Sequence, residues 1–338
     1  MSRYSRQELF AGIGPEGQKR LRASRVLVVG CGALGSALSE TMVRAGVGAL
    51  TVVDRDFVEP SNLHRQSLFE EEDARRGLPK AAAAEARLRR LNSEVEVRGL
   101  VADVSAENAD TLVRGADLVL DGTDNFETRY LVNDVCVRAR VPWVYGACVG
   151  SYGLALLVRP GASPCLRCVL GDRPAPGEAA TCDTAGVVAP IVQVIAGIQG
   201  AEAFKVLSGR MESLLPGLVT VDLWAGSFDV TDLRHQAPSC PACTAGRFDY
   251  ADSPRGSSAA VLCGRDAVQI HAVPGTRVDL PGLASRLRAA GTVVANEHLV
   301  RFQANGADLV VFADGRVIVK GVSDAAQARS VYAKYVGS

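Results

Sequence analysis

Residues 26–36 read Val26-Leu27-Val28-Val29-Gly30-Cys31-Gly32-Ala33-Leu34-Gly35-Ser36, and the organisation of the chain follows from them. A short apolar run breaks at glycines and gives way to a helical pattern lasting to about Gly46. A second strand-like run covers 50–54 and ends in Asp54. Strand, glycine turn, helix and strand in this order open a doubly wound α/β sheet. Gly30 permits the tight turn, Gly32 lets backbone amides approach a phosphate, and Gly35 lets the helix pack closely. A carboxylate at Asp54 is placed to accept hydrogen bonds from ribose hydroxyls. These features indicate a nucleotide and do not separate a dehydrogenase from an ATP enzyme.

The alternation continues. Helices are expected over 80–91, 107–113 and 127–140, and strands over 94–101, 117–121, 143–149 and 153–158. Residues 174–183, rich in Pro, Gly and Ala, read as a crossover loop. A helix over 187–207 and strand material over 218–233 follow. The segment 249–260 has the small polar composition of a linker. Beyond it, 261–338 reads as strand, helix, three strands and helix, with the clearest pieces at 309–312, 317–319 and 324–335. The expected organisation is a first domain over 1–248, a linker over 249–260 and a small α+β domain over 261–338.

Composition bounds the function. The 338 residues carry 37 Lys+Arg and 37 Asp+Glu, so no global charge favours nucleic acid or an anionic membrane. The N-terminal MSRYSRQELF has no apolar signal core, and the apolar stretch 185–201 falls short of the roughly 20 residues a spanning helix needs. A buried helix and a cytoplasmic protein are expected. Nine cysteines in that setting point to metal binding or thiol chemistry instead of disulfides.

Beyond Asp54 lies Arg55-Asp56-Phe57-Val58-Glu59-Pro60-Ser61-Asn62-Leu63-His64-Arg65-Gln66, just past a strand's carboxyl end, where open α/β sheets bind ligands. Arg65 and Lys80 suit a ligand charged on its β- and γ-phosphates, and a dehydrogenase has no need of them there. Taken alone, Lys80 also reads as a solvated residue at a helix start after Pro79. Asp121-Gly122-Thr123-Asp124-Asn125 brings carboxylates to the same sheet edge, with Asp124 suited to Mg²⁺ and Asp124 and Asn125 also suited to capping the next helix. Two CxxC pairs, Cys165/Cys168 and Cys240/Cys243, suit a closed tetrahedral Zn²⁺ site joining distant segments, with a redox pair as the alternative. Cys182 lies in a polar segment near an expected helix N-terminus, which favours a thiolate, although it also reads as merely small. Cys31, Cys136, Cys148 and Cys263 lie in apolar patterns and read as inert core.

Together, GCGALGS, DRDFVEPSNLHRQ, DGTDNFETR, CLRC, TCDTAGVVAP and CPAC, in this order over roughly residues 1–245, resemble the ThiF/MoeB/HesA family, bacterial relatives of ubiquitin-activating enzymes. The resemblance implies a Rossmann-like, mostly parallel sheet with an antiparallel part and a structural zinc site. It implies adenylylation of the C-terminal glycine of a ubiquitin-like sulfur-carrier protein, using ATP, Mg²⁺ and Zn²⁺, for thiamine, molybdopterin or related sulfur pathways. The nucleotide set is then Gly30, Gly32, Ala33, Gly35, Asp54, Asp56, Asn62, Arg65, Lys80, Asp124 and Asn125. Catalytic roles fall on Arg65, Lys80, Asp124, Cys182 and on Arg6, which family members extend into a partner subunit's site, so a homodimer is implied. Cys182 matches a cysteine that bonds the activated carrier. Ala33 replaces a third glycine of many relatives, and the stretch from Arg65 to Lys80 is slightly longer than in MoeB-like members. The C-terminal domain resembles an extension of ThiF-type proteins and has no rhodanese-type CxxxxxR loop, so a separate sulfur donor, a cysteine desulfurase or rhodanese-like protein, is expected. The other readings are an NAD-dependent oxidoreductase, a non-catalytic binder of a ubiquitin-like protein, and a ligase of a peptide or small-molecule carboxylate.

Overall fold

The computed structural model of the chain describes residues 3–175, 178, 182–236, 239–253, 259–262, 267–270, 276–304, 306–322 and 324–337. In chain order, α1 (Ser5–Leu9), α2 (Gly14–Ala23), β1 (Arg25–Val29), α3 (Ala33–Ala45), β2 (Ala49–Asp54), α4 (Glu71–Arg75), α5 (Lys80–Leu91) and β3 (Glu96–Val101) form the first half of the nucleotide-type unit. Then come α6 (Ala109–Val113), β4 (Leu118–Asp121), α7 (Phe126–Ala139), β5 (Trp143–Val149), β6 (Tyr152–Val158), α8 (Leu166–Leu170), α9 (Cys182–Ala185), α10 (Ala189–Ser208), β7 (Gly217–Asp222) and β8 (Ser227–Asp232). Last are β9 (Ala259–Leu262), β10 (Ala267–Ile270), α11 (Leu280–Leu287), β11 (Thr292–Ala295), β12 (Leu299–Ala304), β13 (Ala307–Phe312), β14 (Val317–Lys320) and α12 (Ala325–Tyr335).

The first sheet runs β3-β2-β1-β4-β5-β6-β7-β8, parallel as far as β5 and antiparallel beyond it. Strand order reverses at β1, between β2 and β4, which makes their carboxyl ends the topological switch point where such sheets bind ligands. The apolar runs of β1, β2 and β4 are buried on both faces. Leu38, Met42, Leu88, Ile191 and Ile195 cover one face from α3, α5 and α10. Val113, Tyr130, Val135 and Leu166 cover the other from α6, α7 and α8. Helix α10 is long and apolar enough to cross a membrane by length and composition. In this fold it is a core helix: buried Gln199 donates to Asp121 O at 2.9 Å and Val144 O at 3.1 Å, tying it to β4 and β5.

The second sheet is antiparallel throughout, in the order β11-β12-β13-β14-β10-β9. Two strands precede α11 and four separate it from α12, against the expected one and three. The difference is one additional strand on each side of α11. Strand β9 begins inside 249–260, the segment read as a linker, and 249–252 are held to the first unit. Asp249 bonds Arg167 at 2.9 Å, and Asp252 bonds Arg138 at 2.8 Å. Helices α1 and α2 left no clear mark in the sequence pattern. Cys263 and residues 176, 177 and 179–181 of the expected crossover loop lie outside the described residues.

The turn after β1 depends on three interlocked glycines. Gly30 has φ +85°, and a Cβ there would lie 2.8 Å from Gly122 O. A Cβ on Gly122 would lie 2.5 Å from Gly30 O, and one on Gly35 only 1.8 Å from the same oxygen. The β1 turn, the first turn of α3 and the end of β4 are therefore in backbone contact. Gly35→Ala is expected to cost about 3 kcal/mol or more by forcing this contact apart. Urea unfolding at matched pH is the check, and an unchanged midpoint with an unchanged slope would contradict the interlock.

Candidate active site

The carboxyl ends of β1, β2, β4 and β5 open into a cavity of about 720 Å³. Gly30, Gly32 and Ala33 form its floor, Asp54, Asp56, Asn62 and Arg65 one wall, and Lys80, Asp124 and Asn125 further lining. A Cβ on Gly32 would meet no atom closer than 3.8 Å, so this backbone is open toward the cavity. Helix α3 starts there with Gly32 as its N-cap and no side-chain cap. Its first amides are thus available to an anion, and the helix dipole favours negative charge at that end.

Asp54 organises the wall. It is 9% exposed, and its Oδ2 accepts the Cys31 amide at 2.6 Å while Oδ1 accepts the Asp56 amide at 2.6 Å. Burial pushes this carboxyl upward; the Lys80 ammonium and the two amides pull it back down. Lys80 is 4% exposed, which removes the reading of a solvated helix-start residue, and its Nζ lies 3.5 Å from Asp56 Oδ2. The reason is non-local: Phe57 pairs with Pro79, and the Lys80 amide donates to Asp56 O at 2.9 Å, drawing the start of α5 under the loop after β2.

The carboxylates after β4 divide. Asp121 is buried, accepts the Thr123 amide at 2.9 Å and hydroxyl at 2.7 Å, and pairs with Arg129 at 3.4 Å. Burial raises its carboxyl while Arg129 and the Thr123 bonds oppose the rise. It belongs to the core and does not line the cavity; Asp124, exposed, does. Asn125 caps α7, accepting the Thr128 amide at 2.9 Å. Asn62 is buried and accepts the Glu59 amide at 3.1 Å, closing a short 3-10 turn over Pro60–Asn62. Arg65 donates to Ser61 O at 2.9 Å from the cavity side.

Gln66 is not among the residues expected at the nucleotide. It lines the cavity at 3% exposure, and its Oε1 meets no hydrogen-bond donor among the described residues. A buried unmet acceptor costs about 1–3 kcal/mol, which a ligand donor at that point would relieve. Glu59, Phe57 and Lys320 also line the cavity. Gly35 does not; it lies behind the turn.

Two further expected catalytic residues lie on other elements. Arg6 is exposed on α1, which is anchored at the far end of α3. There the Tyr4 ring occupies the space beside Gly46, and its hydroxyl accepts a bond from Asn92 at 2.8 Å. Helix α3 has 13 residues, so its two ends are about 20 Å apart. Cys182 begins α9, whose following residue Gly186 receives the Gly150 amide at 2.7 Å and lines the cavity rim with Val187. Of the remaining thiols, Cys31 and Cys136 are wholly buried and pushed up by burial, and Cys148 is buried against the cavity.

Cys165, Cys168, Cys240 and Cys243 meet away from the cavity, with all four Sγ atoms within 4.8 Å of one another. The 165–240, 168–243 and 240–243 separations are 3.5, 3.3 and 3.4 Å, and 165–168 is 3.9 Å. Tetrahedral zinc with bonds of about 2.3 Å requires sulfurs about 3.8 Å apart, so the donor set fits Zn²⁺. The Cys243 amide already points at Cys240 Sγ, 3.4 Å away. A zinc ion held by these four thiolates would have no position open to substrate, as in a structural site.

Residues 4–242 match the ThiF family, and the chain belongs to it. The chain is 48% identical over 339 residues to the sulfur carrier protein ThiS adenylyltransferase of Bacillus subtilis, covering 99% of each protein. It is 42% identical over 248 residues to the sulfur carrier protein adenylyltransferase of Thermus thermophilus, covering 72% of this chain and 90% of that one. The fold is similar to a crystal structure of Escherichia coli MccB with ATP, at TM-score 0.60 and 25% identity over 72% of this chain and 73% of that one.

The cysteine cluster predicts zinc at one equivalent per chain, measured by elemental analysis of purified protein. Cys240→Ser is expected to lower metal content and the Tm by roughly 5–10 °C. Retention of full zinc and full Tm would exclude the assignment.

Proposed function

We propose that this chain adenylylates the C-terminal carboxylate of a ubiquitin-like sulfur-carrier protein of the ThiS type, using ATP. The observation that carries this reading is the cavity at the switch point, where the open N-terminus of α3 meets Arg65, Lys80 and Asp124. An anion-receiving helix end with two cations suits a triphosphate, and a dehydrogenase would leave those charges without a task. Similarity over 99% of the Bacillus ThiS adenylyltransferase supports the carrier class. The lower identity to MccB weighs less.

In this mechanism Asp54 and Asp56 serve the ribose, and Gly32, Ala33 and the α3 amides receive the phosphates. Asn62, Arg65 and Lys80 line the path of the triphosphate. A carrier tail carboxylate oxygen attacks the α-phosphorus. The bond from that phosphorus to the β-bridging oxygen breaks, and pyrophosphate leaves with the electron pair. The carboxylate is already ionised at neutral pH, so no proton has to be removed from it. Rate enhancement comes from alignment and from cations facing the developing charge. Asp124, an exposed carboxylate at the cavity, fits one ligand position of Mg²⁺, which when bound neutralises phosphate charge.

The active unit in this reading is a homodimer in which Arg6 serves the partner's site. Leu9 and Phe10, 74% and 65% exposed beside it, support a partner surface at α1, and the length of α3 keeps Arg6 from its own cavity. Cys182 then takes the acyl group from the adenylate, releasing AMP, ahead of sulfur delivered by a separate donor protein.

Asp124→Ala is expected to lower carrier-dependent ATP–pyrophosphate exchange by about 10²–10³ while Tm and dimer mass hold; exchange at the wild-type rate would refute the assignment. Arg6 in trans is tested by mixing unfolded Arg6→Ala and Lys80→Ala chains and refolding them together. Each alone should be inactive, and the mixture should recover about a quarter of wild-type exchange, because random pairing leaves one site in four intact. No recovery, with mixed dimers confirmed by mass, would place Arg6 outside the site.

A further inference from the structure

The C-terminal unit contributes a wall to the cavity, and the sheet register shows how. Ala267 pairs with Lys320 and Gln269 with Ile318, so these four side chains share one face of the second sheet. Helices α11 and α12 cover the opposite face, where Val268, Val317 and Val319 are buried. The shared face lies on the loop after β2: Ala267 and Ile318 pack with Phe57, which is 4% exposed.

Polar contacts extend this apolar seam toward the ends of β2 and β3. Arg316, itself buried, donates to Arg55 O at 3.3 Å, and Gln269 donates to Asp103 Oδ2 at 2.9 Å. Closest to the cavity is Lys320. Its Nζ is ion-paired with Glu59 Oε1 and lies 4.8 Å from the centre of the Phe57 ring. Both members of the pair line the cavity and are partly shielded, with side-chain exposures of 24% and 31%.

Glu59 is also the N-terminal member of a reciprocal capping box with Asn62. The loop is fastened on its other side by the Val58 amide to Leu78 O at 2.8 Å and by the Phe57–Pro79 pair that delivers Lys80. A change at Glu59 is therefore transmitted to Asn62 and Arg65 through the turn, and to Lys80 through the paired segment.

We propose that Lys320 is a positioning residue for the nucleotide: reaching from the C-terminal sheet, it holds Glu59 and so fixes the 56–65 loop in the shape that receives the triphosphate. The proposal rests on the adenylylation reading above. It gives the C-terminal unit, which lies beyond the matched residues 4–242, a task at the active site.

The test is ATP affinity of the full-length protein, read by calorimetric Kd and by KM in carrier-dependent pyrophosphate exchange. Lys320→Ala should raise both about tenfold and leave kcat within about twofold. Lys320→Arg should restore them, since the charge and reach are kept. Glu59→Gln, which keeps an acceptor for the Asn62 amide and removes the charge, should match Lys320→Ala, and the double variant should be no worse than either. Asn296→Ala is the comparison: it removes a different contact between the two units, to Arg76 O at 3.1 Å, and should leave KM unchanged. Unchanged Kd in Lys320→Ala, a fall in Tm without a rise in KM, or an equal rise in Asn296→Ala would overturn the inference. If wild-type protein binds ATP but exchanges no pyrophosphate with any carrier, the adenylylation reading fails while the Kd series still decides Lys320. If it binds no ATP, both fail.

Discussion

The active-site region depends on one buried carboxylate. Asp54 is removed from water at the end of β2, where an ionised carboxylate without partners would be costly. Its two oxygens meet the amides of Cys31 and Asp56, and the Lys80 ammonium supplies the opposing charge. These bonds join three segments far apart in sequence: the glycine turn after β1, the loop after β2 and the start of α5. The turn cannot relax independently, because Gly30, Gly35 and Gly122 leave no room for displacement. The loop cannot relax independently either, because its backbone pairs with 78–80. The site is therefore preorganised before any ligand enters, which is what electrostatic catalysis requires.

The arrangement of charge follows from the same geometry. Lys80 faces Asp56 and Asp54 on the buried side, whereas Arg65 is held by a backbone carbonyl, Ser61 O. In the proposed reaction an incoming triphosphate would meet the helix end, Arg65 and an ammonium that already faces carboxylates. Asp121 lies deeper, consumed by Arg129 and by the first turn after β4. Its work is to hold that turn, and Asp124, three residues on, is left at the cavity. Two carboxylates on one short segment have different tasks because one is 1% exposed and the other is open to solvent.

Features whose causes are local were legible in the sequence. The β1–turn–α3 unit, the limits of α5 at Lys80–Leu91 and the strands of the first sheet came from apolar runs broken by glycine and proline. The two CxxC pairs were legible because each pair is itself a local chemical signature, and their meeting needed no further pattern. Lys80 was ambiguous because its burial comes from the Phe57–Pro79 pairing, which no local periodicity encodes. Asp121 could not be told apart from Asp124 at the sheet edge, because its partners, the Arg129 guanidinium and the Gly146 amide, come from the next helix and strand. Gln66 was in plain view, but its unmet acceptor exists only once the cavity walls are assembled. The Glu59–Lys320 pair spans 261 residues, and although the strand carrying the lysine was legible, no local pattern joins it to the loop after β2.

The length of α3 ties the chemistry to assembly. In the proposed reaction its N-terminus, where the uncapped amides are, faces the phosphates. Its C-terminus ends at Gly46 in the left-handed conformation, with the Tyr4 ring filling the space a side chain would take, and this contact anchors the segment leading into α1. With both ends of one 13-residue rod fixed, the segment leading into α1 sits about 20 Å from the N-terminus of α3. Neither end can give way: shortening the rod would unseat the turn from Gly122, and loosening the far end would expose Tyr4, which is 3% exposed. In the proposed homodimer a cation carried on α1 would serve the cavity of the other chain. The apolar pair Leu9 and Phe10 next to it is the kind of surface through which a second copy would bring that cavity within reach.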